Sequence, residues 1–133
     1  MTKSLALTQG LIIQAEPLEK ILTGRKTWEM RSVHTKKRGR IALIKKGSGR
    51  IYGTATILGS LGPFTEVDMV ANQDKRGMST SRMREPQASK WRCAWVLGDV
   101  KPLAIRLEYV QKSGSVTFVN LDDAAIARLA QAV

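Results

Sequence analysis

The chain has 133 residues, 43% of them hydrophobic and 25% charged, which suits one compact domain able to bury a sizeable core. Its 22 lysines and arginines face 11 acids, a formal net charge of +11. No apolar run approaches the roughly 20 residues of a transmembrane helix, and Met1 to Gly10 lacks the apolar core of a secretory signal. One cysteine, Cys93, and one histidine, His34, exclude an internal disulfide and speak against a structural zinc site. The composition fits a soluble protein of a reducing cytoplasm, with no membrane contact and no cofactor.

Gly10 leads into Leu11-Ile12-Ile13, a short apolar run suited to an interior strand. Glu16 to Gly24 then carries helix punctuation: an early proline, acids in the first turn and a glycine past the end. Leu18, Ile21 and Leu22 share one face of that helix. Thr27 to Arg31 alternates as a strand, with Trp28 and Met30 predicted inward and Thr27, Glu29 and Arg31 on the other face. Arg40–Ile44 and Ile51–Leu58 read as partner strands around a Gly47-Ser48-Gly49 turn. Thr65 to Ala71 reads as a short helix. Asn72 to Lys90 is polar and without periodicity, and a loop of that length tends to carry function. Strand signals return at Arg92–Leu97, Leu103–Val110 and Val116–Leu121, with a last hairpin turn at Lys112 to Ser115. Asp122 or Asp123 caps a final helix, about 122–132, whose apolar side is Ile126, Leu129 and Ala130. About six strands with two or three short helices predict a β-rich α+β fold, a small partly open barrel.

The charge is concentrated. Between Arg25 and Arg50 stand ten basic residues against Glu29 alone, so this segment carries +9 of the +11. A second basic stretch runs through Lys75, Arg76, Arg82, Arg84, Lys90 and Arg92. Such clustering points to a polyanion surface. Nucleic acid is favoured over membrane, because neither segment forms a basic amphipathic helix.

Residues 24 to 31 read Gly-Arg-Lys-Thr-Trp-Glu-Met-Arg. This resembles the G-x-K-x-x-E-x-R signature of the ASCH domain family. The likeness continues through Arg38-Gly39-Arg40-Ile41-Ala42-Leu43, Ala94-Trp95-Val96-Leu97, Asp99 to Leu103, Ser113-Gly114 and Val119-Asn120-Leu121. It spans about residues 11–121 of a single domain. The resemblance implies a PUA-like β-barrel and RNA association through a cleft beside the signature. It also implies an alternative, enzymatic use of the cleft: ribonuclease action, as proposed for some members, or amidohydrolysis of N(4)-acetylcytidine with a signature lysine, a threonine and a distant glutamate. Lys26 matches that lysine, Glu29 stands at the threonine position, and Asp74 and Glu85 are the weak candidates for the distant acid. Cys93 stands where the family has a tyrosine.

Lys26 sits between a helix end and a strand, a position expected to be exposed enough to reach a ligand. Its ammonium there binds phosphate or acts as a base. The plainer alternative is an exposed Lys26–Glu29 ion pair worth ~0–1 kcal/mol. Joint action of the two requires Lys26 to lie in the turn before the strand, since alternation would otherwise separate them. Arg31 either clamps phosphate or orients Glu29. Arg25, Thr27, Arg38, Arg40, Lys45 and Lys46 are the remaining RNA-contact candidates near the signature, with plain surface solvation as the alternative. Trp91 is the candidate stacking platform, whereas Trp28 and Trp95 suit core packing. Tyr52 is expected to stack or to sit half-buried in its strand. Ser113 is the weakest catalytic candidate, a cleft hydroxyl or a turn former. His34 reads as a bystander and Cys93 as a buried packing residue. Three functions follow: an RNA-binding module; an enzyme on the same cleft, either a metal-independent ribonuclease or an amidohydrolase; and a protein-interaction domain of RNA machinery.

Overall fold

The computed structural model describes residues 7–77, 90–110 and 117–132. Six strands form one curled half-barrel sheet in the order β2-β5-β4-β3-β1-β6. In chain order these are β1 (Gln9–Ile13), β2 (Trp28–Arg31), β3 (Gly39–Lys45), β4 (Arg50–Leu61), β5 (Cys93–Glu108) and β6 (Phe118–Asn120). Among the described residues, four short helices accompany them: α1 (Ala15–Leu22), α2 (Glu66–Ala71), α3 (Gln73–Arg76) and α4 (Asp123–Ala132). Strand β1 runs parallel to β3, with Leu11 opposite Leu43, and every other pairing is antiparallel. The α+β, β-rich expectation holds.

The apolar runs of β1 and β3 explain why both faces of the sheet are covered. Leu11, Ile13, Ile41 and Leu43 point to one face, where Ala55, Ile57, Trp95 and Leu97 join them and α1 closes the cluster with Leu18 and Ile21. Ile12, Ala42 and Ile44 point to the other face, against Ala125 and Leu129 of α4. At one edge Trp28 and Met30 pack with Ala94 and Met69. Burying each of these large side chains contributes about 1.5–3 kcal/mol.

The expected first helix is found, with Glu16 in its first turn and Lys20 in its last. Gly24 takes the left-handed conformation just past its end, φ +81°. The second helix is sharper than its sequence pattern suggested: Thr65 and Asp68 form a reciprocal capping box.

Three expectations are corrected. Arg92–Leu97 and Leu103–Val110 are not separate strands but parts of the single long β5, which passes Asp99 (φ 48°) through bulges rather than a break. The polar segment from Asn72 is not loop throughout, since Gln73–Arg76 is helical. The final helix buries Ala125 and Leu129 and leaves Ala130 exposed. Asp122 caps it by accepting from the Ala125 N–H at 3.2 Å. The proposed turn at Lys112 to Ser115 lies outside the described residues.

Candidate functional site at the ASCH signature

The signature begins where α1 ends. Arg25 and Lys26 donate their backbone N–H groups back to the Lys20 carbonyl at 2.9 and 3.1 Å, which places Lys26 in the turn before β2. The geometric demand for joint action with Glu29 is therefore met. Its exposure is not as expected, because Lys26 is only 4% exposed. Its ammonium donates to the carbonyl oxygen of Arg76. Beside it, Lys20 Nζ donates to the Gly77 carbonyl at 2.9 Å, and the Thr27 N–H to the Lys75 carbonyl at 2.9 Å. Three donors thus hold the end of α3, where helix carbonyls lack partners of their own.

Burial lowers the Lys26 pKa from 10.5 to about 8. The Glu29 charge opposes that shift, while Lys20, Arg76 and Arg31 add to it. Asp74, one of the two acids considered as a distant partner, is exposed on α3 and is not among the charges acting on Lys26. Glu85 and Ser113, with Arg82 and Arg84, lie outside the described residues. Arg76, a member of the second basic stretch, is not part of the surface but 0% exposed, with Nε donating to the Met69 carbonyl.

Glu29 is 7% exposed. Strand alternation does put it opposite Trp28, but the sheet curls, so its face is the inside of the half-barrel, alongside Trp95. Arg31 orients it, with Nε 3.0 Å from Glu29 Oε2. The same guanidinium donates from Nη2 to the Ile12 carbonyl at 2.9 Å and lies 5.1 Å from the Trp95 ring centroid. Arg31 therefore ties edge strand β2 to β1 across the opening of the curl. Trp95 stacks on Phe118 at 5.5 Å, and Lys37 Nζ lies 5.7 Å from the Phe118 ring. A layered arrangement results, Arg31–Trp95–Phe118–Lys37, with a cation at each end.

Lys26 is thus committed to the end of α3 and Glu29 to Arg31, whose guanidinium lies beside the Trp95 ring.

The family model described as the ASCH domain matches residues 11–103. The chain belongs to the ASCH domain family. Two solved structures of variants of the ASCH protein from Zymomonas mobilis, one tyrosine-to-phenylalanine and one serine-to-alanine, share the fold of this ASCH domain. Their TM-scores are 0.67 and 0.66 at 15% identity, each covering 92% of this chain and 96% and 94% of theirs. The Zymomonas mobilis ASCH structure without a stated substitution has a TM-score of 0.60, with 15% identity over 92% of this chain and 93% of its own. No curated protein matches the sequence. Among the described residues, no helix is long and apolar enough to cross a membrane.

The other candidates fall at different places in this ASCH domain. Arg25 is exposed and 3.5 Å from Glu19. Thr27 is exposed at its side chain, while its carbonyl accepts from the Leu97 N–H at 2.9 Å. Arg38 is exposed, next to Lys37 and hence to the signature end of the curl. Arg40 is occupied internally, with Nη1 3.0 Å from Asp99 Oδ2 and 3.1 Å from Thr56 Oγ1. Lys45 and Lys46 close the opposite end of β3, ~20 Å along the strand from Arg38. Trp91 is half-buried against the Trp28 and Met30 cluster. Trp28 and Trp95 are core residues and Cys93 is buried, as expected. His34 Nδ1 is 2.7 Å from Ser60 Oγ.

Lys20, Lys37 and Phe118 also belong to this arrangement, with no signal in the sequence that marks them. Lys37 stood in the basic run and carried no distinguishing neighbour. Lys20 sits six residues before Lys26, a spacing that becomes meaningful only once the chain turns at Gly24.

Proposed function

We propose that this ASCH domain binds single-stranded RNA, with one nucleotide seated beside Lys26, Glu29 and Arg31. One observation carries the reading. The sole acid between Arg25 and Arg50 is buried and paired to Arg31, so solvent meets this segment almost entirely as cation. Arg25, Arg38 and Lys46 are exposed there and supply phosphate contacts that position a strand without reading its sequence. The ASCH family's association with RNA agrees with this use of the charge. The test is fluorescence anisotropy with a labelled single-stranded RNA at rising salt. Affinity falls steeply if the reading is right, and equal retention at low and high salt overturns it.

A second reading has its own support. A lysine ammonium with a pKa of about 8 is a competent acid near neutral pH. In a metal-independent ribonuclease, Glu29 takes the 2′-hydroxyl proton and the 2′-oxygen attacks phosphorus. The 5′-oxygen then leaves with the proton from Lys26. Substrate reaches Lys26 only after its bond to the Arg76 carbonyl opens. Amidohydrolysis of N(4)-acetylcytidine has less support, because Glu29 stands at the threonine position. Incubation with labelled RNA and with N(4)-acetylcytidine, followed by product analysis, decides between binder and enzyme.

A further inference from the structure

A cavity of about 500 Å³ opens between α1 and the sheet, at the opposite end of β3 from Arg38. That volume lies within the ~300–1,000 Å³ range of small-molecule sites. Its construction is specific. Between Ile51 and Gly53 of β4 stands only Tyr52, while their partners on β5, Leu107 and Pro102, are separated by Leu103 to Arg106. The bulge brings the Arg106 guanidinium over the Tyr52 ring, 4.5 Å from its centroid, and Lys45 Nζ lies 5.7 Å from the same ring. Neither cation has a carboxylate partner within ion-pair distance among the described residues. The helix wall of the cavity is different, with Leu18 and Leu22 as its apolar part and two carboxylates, Glu16 and Glu19, of which Glu19 lies 3.5 Å from Arg25 and Glu16 has no ion-pair partner among the described residues.

We infer that this cavity is a guanine-nucleotide subsite. The two cations match a phosphate. The Tyr52 ring and the leucines match the two faces of a base. A carboxylate on the opposite wall accepts hydrogen bonds only, so it selects a base edge that donates. Guanine offers adjacent N1–H and N2–H groups to one carboxylate. Uracil places its single N3–H between two carbonyl oxygens, which Glu16 repels. In the occupied site the base takes the position over Tyr52 and Arg106 turns to the phosphate. The inference goes beyond the signature site, uses none of Lys26, Glu29 and Arg31, and leaves open by its chemistry whether the nucleotide is free or part of an RNA strand.

The full chain serves for the test, with GMP, UMP and short single-stranded RNAs containing either guanine or only uracil. GMP is expected to shift the Tyr52 ring resonances by NMR, and UMP is not. Tyr52→Leu, which keeps apolar packing, weakens GMP roughly fivefold or more. Glu16→Gln narrows the preference for GMP over UMP. If the guanine-containing RNA also moves Tyr52, the nucleotide belongs to a strand; if only GMP does, the ligand is the free nucleotide. Unmoved Tyr52 resonances with every probe, or Tyr52→Leu binding GMP as tightly as the wild type, overturns the inference. Salt-sensitive RNA binding that survives in Tyr52→Leu would still support the signature site, so the two readings fail separately.

Discussion

The Lys26 ammonium donates to the Arg76 carbonyl, 50 residues further along the chain. The signature lysine thereby caps the α2–α3 segment, and the segment in turn removes the lysine from water. Burial holds its pKa at about 8 against 10.5.

Stability should follow that shift. Between pH 8 and 10.5 the unfolded chain keeps a proton that the folded chain has released, so stability rises with pH across this window. Below about 8 both states are charged and the folded state bears the whole cost of the buried ammonium. The difference is on the order of 3 kcal/mol. Urea unfolding of the wild type and of Lys26→Met at pH 7.5 and pH 10 measures it. Wild type gains stability relative to the variant at the higher pH, and parallel pH curves would show that Lys26 titrates as an ordinary surface lysine.

Gly77 sets the room in which Lys26 lies. Its φ is +64°, and a methyl group there would stand 3.1 to 3.2 Å from Cβ, Cδ and Cγ of Lys26. Gly77→Ala therefore combines left-handed strain with crowding and should cost about 1–2 kcal/mol. Gly77→Asn separates the two, because asparagine tolerates the left-handed region better but keeps the Cβ. A lowered melting temperature in Ala with full recovery in Asn would mean that crowding of Lys26 contributes nothing.

Much of this arrangement was legible beforehand, for identifiable reasons. Proline, glycine and the spacing of Leu18, Ile21 and Leu22 marked α1, and alternation in β2 separated Trp28 and Met30 from Glu29 and Arg31. Alternation does not reveal that a sheet curls. The polar face of β2 turned out to be the inside of the half-barrel, so Glu29 is buried too. Gly98, Asp99 and Pro102 made β5 look like two strands, whereas its bulges carry the pairing past them. The burial of Arg76 left no trace in a run of polar residues, because it depends on the Met69 carbonyl and the fold of α2 onto β2.

Arg31 offers a test of that hidden face. It bonds Glu29 and the Ile12 carbonyl while stacking on Trp95, a set that a lysine cannot reproduce. Arg31→Met leaves a buried carboxylate without its cation and should cost about 3–5 kcal/mol. Glu29→Gln in the Arg31→Met background removes that uncompensated charge and recovers part of the loss. Chemical denaturation of the two single variants and the double variant gives the coupling. Strict additivity would mean that the pair does not act as a unit.

Arg38 and Arg40 are two residues apart and should behave oppositely. Arg38 is exposed, and its Nη1 bonds carbonyl oxygens of its own loop, those of Thr35 and Lys37, leaving its other donors available to a phosphate. Arg40 is committed to Asp99 and Thr56 across three strands. Arg38→Ala should reduce the slope of log affinity for single-stranded RNA against log salt by about 0.7, one phosphate contact, at unchanged melting temperature. Arg40→Ala should instead lower the melting temperature and keep the slope. Anisotropy titrations at four salt concentrations, paired with thermal melts, measure both quantities. Loss of slope in Arg40→Ala and none in Arg38→Ala would move the RNA track from the loop before β3 onto the strand itself.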